Sequence, residues 1–190
     1  VYVMFVVGLG LSLVPASIIS RVVNDKERGM KHMQVICGVS MPAYWTHFLV
    51  FDFAMSLFCN AVTYLLLILS SLINRLTWGY LAEIFALEAL AVIPHSYILQ
   101  NLFDREIVAQ TNTFYVHFTL CCTVNMIVFA MRMIKSTAAV GDLCMWVLRL
   151  TCPTYNLCNA VMYGTSMKQL QERRNATISE LRQEGAAENS

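Results

Sequence analysis

The sequence predicts an all-α, polytopic membrane helix bundle, and three observations predict it. Of the 190 residues, 57% are hydrophobic and 13% charged, against about 45–50% and roughly 25% in soluble domains. The charges are segregated: residues 1–20 and 114–131 carry none, while residues 21–31 and the chain beyond 165 hold most of them. Several apolar stretches also approach the ~20 residues that a helix needs to cross a hydrocarbon core about 30 Å thick. A net charge of +1 leaves no basic field to replace counterions, which argues against nucleic acid as a partner.

The elements follow in order. Residues 1–20 are uncharged and contain Gly8, Gly10 and Pro15, which a spanning helix tolerates better than a soluble one; they read as the end, or most, of a span. Residues 45–73 form a run broken only by Asp52 and closed by Asn74 and Arg75. Residues 76–103 are apolar apart from Glu83 and Glu88, with a kink expected at Pro94, which cannot donate its backbone bond. Residues 114–134 make a fourth span, where Thr119, Thr123 and Asn125 can hydrogen-bond across helices. In residues 141–164, Asp142, Arg149, Pro153, Asn156 and Asn159 make a crossing costly, so a re-entrant or interfacial hairpin turning near Pro153 is expected. Residues 165–190 are charged and poor in aromatics, which predicts a solvated tail or linker with at most a weakly amphipathic helix around 170–181. Residues 1–164 thus read as part of one membrane domain and 165–190 as a polar tail. The chain opens inside an apolar run without a leader pattern, and a fragment of a longer polypeptide is expected.

Arg21, Lys26, Arg28, Lys31 and Arg105 fall on one side of these spans and Arg75, Arg132 and Lys135 on the other. The excess places the connection 21–44 in the cytosol. Asn175-Ala176-Thr177 matches a glycosylation acceptor, meaningful only on the exoplasmic side. Of the seven cysteines, Cys37, Cys59, Cys121 and Cys122 lie in or beside apolar runs as small hydrophobes, leaving Cys144, Cys152 and Cys158 as candidates for pairing. Neither Cys121-Cys122 nor Cys152 with Cys158 matches a zinc spacing, and no metal site is expected.

Residues 21–42, RVVNDKERGMKHMQVICGVSMP, are too polar to cross and too long for a tight turn. Asp25 and Glu27 are read as opening a short helix, with Lys31 four residues after Glu27. Met30, Met33, Gln34 and Cys37 form a narrow stripe, Gly38 stops the helix and Pro42 cannot continue it. On physical grounds this is an amphipathic helix that either anchors the bundle or meets a partner. Asp52, about 10 Å into its helix, should pair, and Arg21, Arg28 and Arg105 are the candidates. Glu83 and Glu88, five residues apart, are not a carboxylate pair on one face; a position near water in the outer leaflet is expected for them, with a lipid headgroup contact as the other reading.

The stretch 13–52 resembles the second and third spans, with their connecting loop, of the A subfamily of ATP-binding-cassette (ABC) transporters. The resemblance is carried by Pro15-Ala16-Ser17, Glu27-Arg28, Lys31-His32, Gln34, Gly38-Val39, Tyr44-Trp45 and Asp52. Pro94, Tyr97 and Phe103 look like that family's fourth span, and residues 152–158, centred on Pro153, look like a weakened proline-aromatic motif beyond its fifth. Where a glycine-arginine-glycine pattern usually follows, this chain has Asn159, Ala160 and Val161. The likeness is closest to the membrane domain of the C-terminal half of a full-length member.

That resemblance implies an ABC-2 type exporter domain with a cytosolic coupling helix. Glu27, Arg28, Lys31 and Gln34 would dock on an ATPase domain and Gly38 would permit the bend. It implies lipid as environment and substrate, a nucleotide-binding domain in cis or trans, and a second transmembrane half as partners. The chain itself has no G-x-x-x-x-G-K-[ST] loop, so it is expected to be no enzyme alone and to hold no cofactor, with ATP and Mg2+ confined to the missing domain. Two other readings stand beside this one: a haem-bearing redox bundle using His47, His95 and His117, and a truncated piece that does not transport.

Overall fold

The computed structural model describes residues 2–70, 73 and 77–188; Asn74, Arg75 and Leu76, read above as the boundary between two spans, lie outside the described residues. Those described form eight α-helices and no strand: α1 (Tyr2–Glu27), α2 (Met30–Ile36), α3 (Met41–Leu69), α4 (Trp78–Leu99), α5 (Glu106–Thr119), α6 (Asn125–Met133), α7 (Ala138–Thr151) and α8 (Pro153–Glu188). A 3-10 turn at Gln100–Leu102 extends α4, and a π-helical turn at Leu120–Val124 fuses α5 to α6. Four rods result, Phe5–Glu27, Met41–Leu69, Trp78–Leu102 and Glu106–Met133, each long and apolar enough to cross a bilayer.

α1 is the central rod. Val7, Leu11, Val14, Ile18, Ile19, Val22 and Val23 along it are buried, chiefly against α5 and also against α4, α3 and α8. Close approach is enforced at Gly8, where an added Cβ would stand 2.6 Å from Cys122 Sγ, a small-residue contact of the kind that brings membrane helices together. The π turn supplies the other half of this contact. Its extra residue turns both Cys121 and Cys122 inward, so the buried stripe Ala109, Thr113 and His117 of α5 continues as Asn125 and Val128 of α6.

α3 is built the opposite way from a soluble helix. Its buried residues are Tyr44, Asp52, Ser56, Asn60 and Leu67, while Leu49, Val50, Phe51, Phe58, Leu65 and Leu66 are exposed. Hydrocarbon solvates the apolar face as well as protein would, and the polar groups turn inward to find partners.

α7 and α8 form a hairpin that enters and leaves on one side. Asp142 on α7 accepts from Arg132 Nε at 2.6 Å, and the Arg132 guanidinium sits 5.7 Å over the Tyr163 ring of α8. Both arms therefore meet the end of α6 opposite α2. The turn falls at Cys152, and Asn156 Nδ2 donates to Arg149 O at 2.8 Å across it. Farther out, Gly164 lies against Leu81 and Ile73.

The structure corrects several expectations. The first span runs on to Glu27 rather than ending at Ser20, because Arg21 and Glu27 find partners on neighbouring rods and Lys26 finds one in the connection between the third and fourth. The fourth begins at Glu106, not at residue 114. The tail is helical, continuous with α8 to Glu188, rather than irregular. Because α8 leaves opposite α2, Lys168, Arg173 and Arg174 join Arg132 and Lys135, and the count of Lys and Arg no longer fixes the orientation. Glu83 is exposed, whereas Glu88 is 4% exposed and enclosed by the bundle. Cys144, Cys152 and Cys158 are free thiols.

Candidate coupling site

Two glycines in the left-handed region, Gly29 (φ 67°) and Gly38 (φ 90°), bracket α2 and let the chain leave α1, run for seven residues and turn into α3. Asp25 and Glu27 therefore do not open this helix, as the sequence reading had it; they close α1. Glu27 Oε2 accepts from the backbone N–H of Glu106 at 2.8 Å, placing a negative charge at the N-terminus of α5 where the helix dipole favours it. Gly29 interrupts the helix between Glu27 and Lys31, so the two are not an i,i+4 pair on one helix.

The base of the loop is fastened to three rods. Arg21 on α1 forms an ion pair with Asp52 on α3, and Tyr97 of α4 donates to the other carboxylate oxygen, Asp52 Oδ2, at 2.7 Å. Arg21 is thus the partner that the carboxylate takes out of the three expected. Its guanidinium also stands 4.5 Å over Phe51. Tyr44 is buried, donates to Asp25 Oδ2 at 3.4 Å, and contacts the rings of Trp45 and Phe48 at 5.3 and 5.0 Å. Lys31 Nζ lies 5.5 Å over the Trp45 ring. Lys26 Nζ donates to Phe103 O at 3.0 Å and to Asp104 Oδ1 at 2.7 Å; that ammonium holds the Asp104 carboxyl below the usual carboxylate range.

α2 itself buries nothing. Arg28, His32, Met33, Val35 and Ile36 are exposed, Ile36 at 84%, and Gln34 is half-buried with its carbonyl accepting from Val39 N–H. Of the predicted docking residues, then, Arg28 points outward, while Glu27 and Lys31 are engaged by α5 and Trp45. Met33, part of the stripe expected from the sequence, and Ile36, which that stripe left out, are the most exposed apolar side chains of the loop; for Ile36 the available signal was a helix too short to bury a face.

Other motif residues are structural. Pro15 is buried inside α1 and Pro94 lies inside α4. Pro94 lines an apolar groove between α3 and α4 with Leu49, Phe53, Leu90, Ile93 and Tyr97. Pro153 opens α8, a position where its missing N–H leaves no bond unmade. Deeper in the bundle Asn60 Nδ2 donates to Glu88 Oε2 at 2.6 Å and to Phe85 O at 3.1 Å, which closes a second polar contact between α3 and α4. Of the histidines in the haem reading, His95 and His117 meet edge to face with centroids 5.6 Å apart, and His47 packs on Phe48.

Four rods long and apolar enough to span a bilayer, an exposed helix slung between two of them, and a helical hairpin on the far side make this a multi-pass integral membrane protein. The chain belongs to the ABC-2 family of transporter proteins, whose model matches residues 1–173. It is also similar to ABC transporter A family member 11 of Dictyostelium discoideum, 24% identical over 150 residues, which is 76% of this chain and 17% of that protein. The chain thus spans about a sixth of the length of that relative. No solved structure gives a significant match.

Proposed function

We propose that this chain is the membrane component of an ATP-driven exporter of lipids or other amphipathic molecules, and that α2 is the lever on which a nucleotide-binding domain acts. The observation that carries this reading is α2: it buries no residue, presents Met33 and Ile36 outward beside the exposed Arg28 of the preceding turn, and is fastened at its base through Lys31–Trp45, Tyr44–Asp25 and Arg21–Asp52. A load applied to so short a helix passes into α1, α3 and α4 together rather than bending a loop. The α2 side is then cytosolic, and Asn175 on α8 is exoplasmic and open to glycosylation. The groove beside Pro94 exposes only apolar surface, the Tyr97 hydroxyl being turned to Asp52, which suits an acyl chain better than an ion or a sugar.

The test is to assemble the complete transporter with Arg28→Glu or Met33→Asp and measure ATP hydrolysis with and without lipid. Loss of lipid stimulation with basal hydrolysis retained is the expected result. Stimulation equal to that of the unaltered protein would remove α2 from the coupling path.

A further inference from the structure

At the tip of the hairpin three side chains that carry metal-ligand atoms converge. One donor atom each of His95 (α4), His117 (α5) and Cys152 (between α7 and α8) lies within 4.8 Å of the other two. His117 and Cys152 are buried and His95 is half-buried. The donors come from three separate segments, so no C-x-x-C or H-x-x-x-H spacing marks them in the sequence.

His117 is set up for coordination. His117 Nδ1 stands 2.9 Å from Thr113 O. A carbonyl oxygen only accepts, so Nδ1 carries the proton, and the lone pair of a neutral ring is on Nε2. This is the backbone support that fixes a ligating imidazole. Nε2 is buried and has no hydrogen-bond partner among the described residues. Cys152 precedes Pro153, the first residue of α8, and is a buried, free thiol at the turn of the hairpin. A three-coordinate ion about 2.0 Å from nitrogen and about 2.3 Å from sulfur needs donors about 3.5–3.8 Å apart, so a small side-chain rotation closes the site.

We propose that His95, His117 and Cys152 hold a thiophilic d10 cation, Cu+ or Zn2+, that staples the tip of the re-entrant hairpin to α4 and α5. Two imidazoles and a thiolate match the preference of both ions. Cu+ with one thiolate gives a neutral centre, which a membrane interior accepts more readily than a charged one. Hard cations are disfavoured, since no carboxylate belongs to the set.

The experiment uses the chain reconstituted in lipid nanodiscs, stripped with chelator and titrated with Cu+ or Zn2+ against a chromophoric competitor for each, with Co2+ as the spectroscopic probe. One equivalent retained, with a thiolate-to-cobalt charge-transfer band, is expected, and the better-held ion identifies the occupant. Cys152→Ser should abolish the band, and His117→Gln should weaken retention by at least about 100-fold, the upper range seen for lesser, outer-shell changes. His95→Gln, at the half-buried position, gives a variant less exposed to folding defects, checked by its elution as a single species. Cys37→Ser, at an exposed thiol, should bind as the unaltered chain does. Retention of neither ion, or equal retention by all variants, would overturn the proposal.

Discussion

Arg21→Met tests the ion pair that ties the loop to the bundle. The Asp52 side chain is fully buried and that of Arg21 is 31% exposed. Removing one partner of a buried pair costs about 3–5 kcal/mol, because the remaining charge is left uncompensated. Two features reduce the loss here: solvent reaches part of Arg21, and the Tyr97 hydroxyl still donates to Asp52, a charged hydrogen bond worth about 1.5–3 kcal/mol. The expected net destabilisation is about 2–3 kcal/mol. The double variant Arg21→Met with Asp52→Asn removes both charges and should recover most of it, with a coupling of about 2 kcal/mol. Unfolding in mixed micelles, followed by tryptophan fluorescence, reads the difference, since Trp45 lies 5.6 Å from the Tyr97 ring. A single variant within about 0.5 kcal/mol of the parent, or a double variant as unstable as the sum of the two singles, would show that the pair does not hold the rods together.

Gly8→Ala places a Cβ 2.6 Å from Cys122 Sγ and should destabilise the fold by about 1–3 kcal/mol; Cys122→Ala in the same chain should restore thermal stability. Asn60→Leu removes the hydrogen bonds from Asn60 Nδ2 to Glu88 Oε2 and Phe85 O and should cost about 1–3 kcal/mol in the same melt. Because Lys26 lowers the pKa of Asp104, the contribution of that contact is present above the ordinary carboxylate range and disappears as pH falls through the depressed value. Asp104→Asn should therefore flatten the acid limb of a stability profile and leave its neutral region little changed, since both groups are solvated. A glycan removed by Asn175→Gln, on expression in a secretory membrane, would place α8 on the exoplasmic side; an unmodified Asn175 labelled by a cytosolic reagent would reverse the orientation.

The spans were legible because length and apolarity settle whether a rod crosses. What hydropathy does not carry is where a charged helical end stops. Residues 21–27 look like a polar loop in isolation, yet they stay helical because Arg21, Lys26 and Glu27 are satisfied by Asp52, Asp104 and the Glu106 amide, all distant in sequence. The start of α2 was misplaced for a related reason: Asp25 and Glu27 suit a helix N-terminus locally, and only the left-handed Gly29 shows that they end the preceding one. The Asp52 partner could be narrowed to three arginines, since a buried carboxylate requires a cation, but the choice among them rests on the crossing of α1 and α3. The burial of Glu88 depends on Asn60 of a different rod and had no local mark. The gathering of His95, His117 and Cys152 was invisible in the same way, because the π turn and the hairpin tip set it.

The inside-out build of α3 changes which substitutions evolution can accept there. On its lipid-facing flank any greasy side chain serves, so Leu49, Val50, Phe58 and Leu65 are free to drift among one another. On the inward flank a change at Asp52 or Asn60 removes a specific partner. A saturation screen of this rod would therefore find its least replaceable positions among its most hydrophilic ones, the reverse of the map a water-soluble helix would yield.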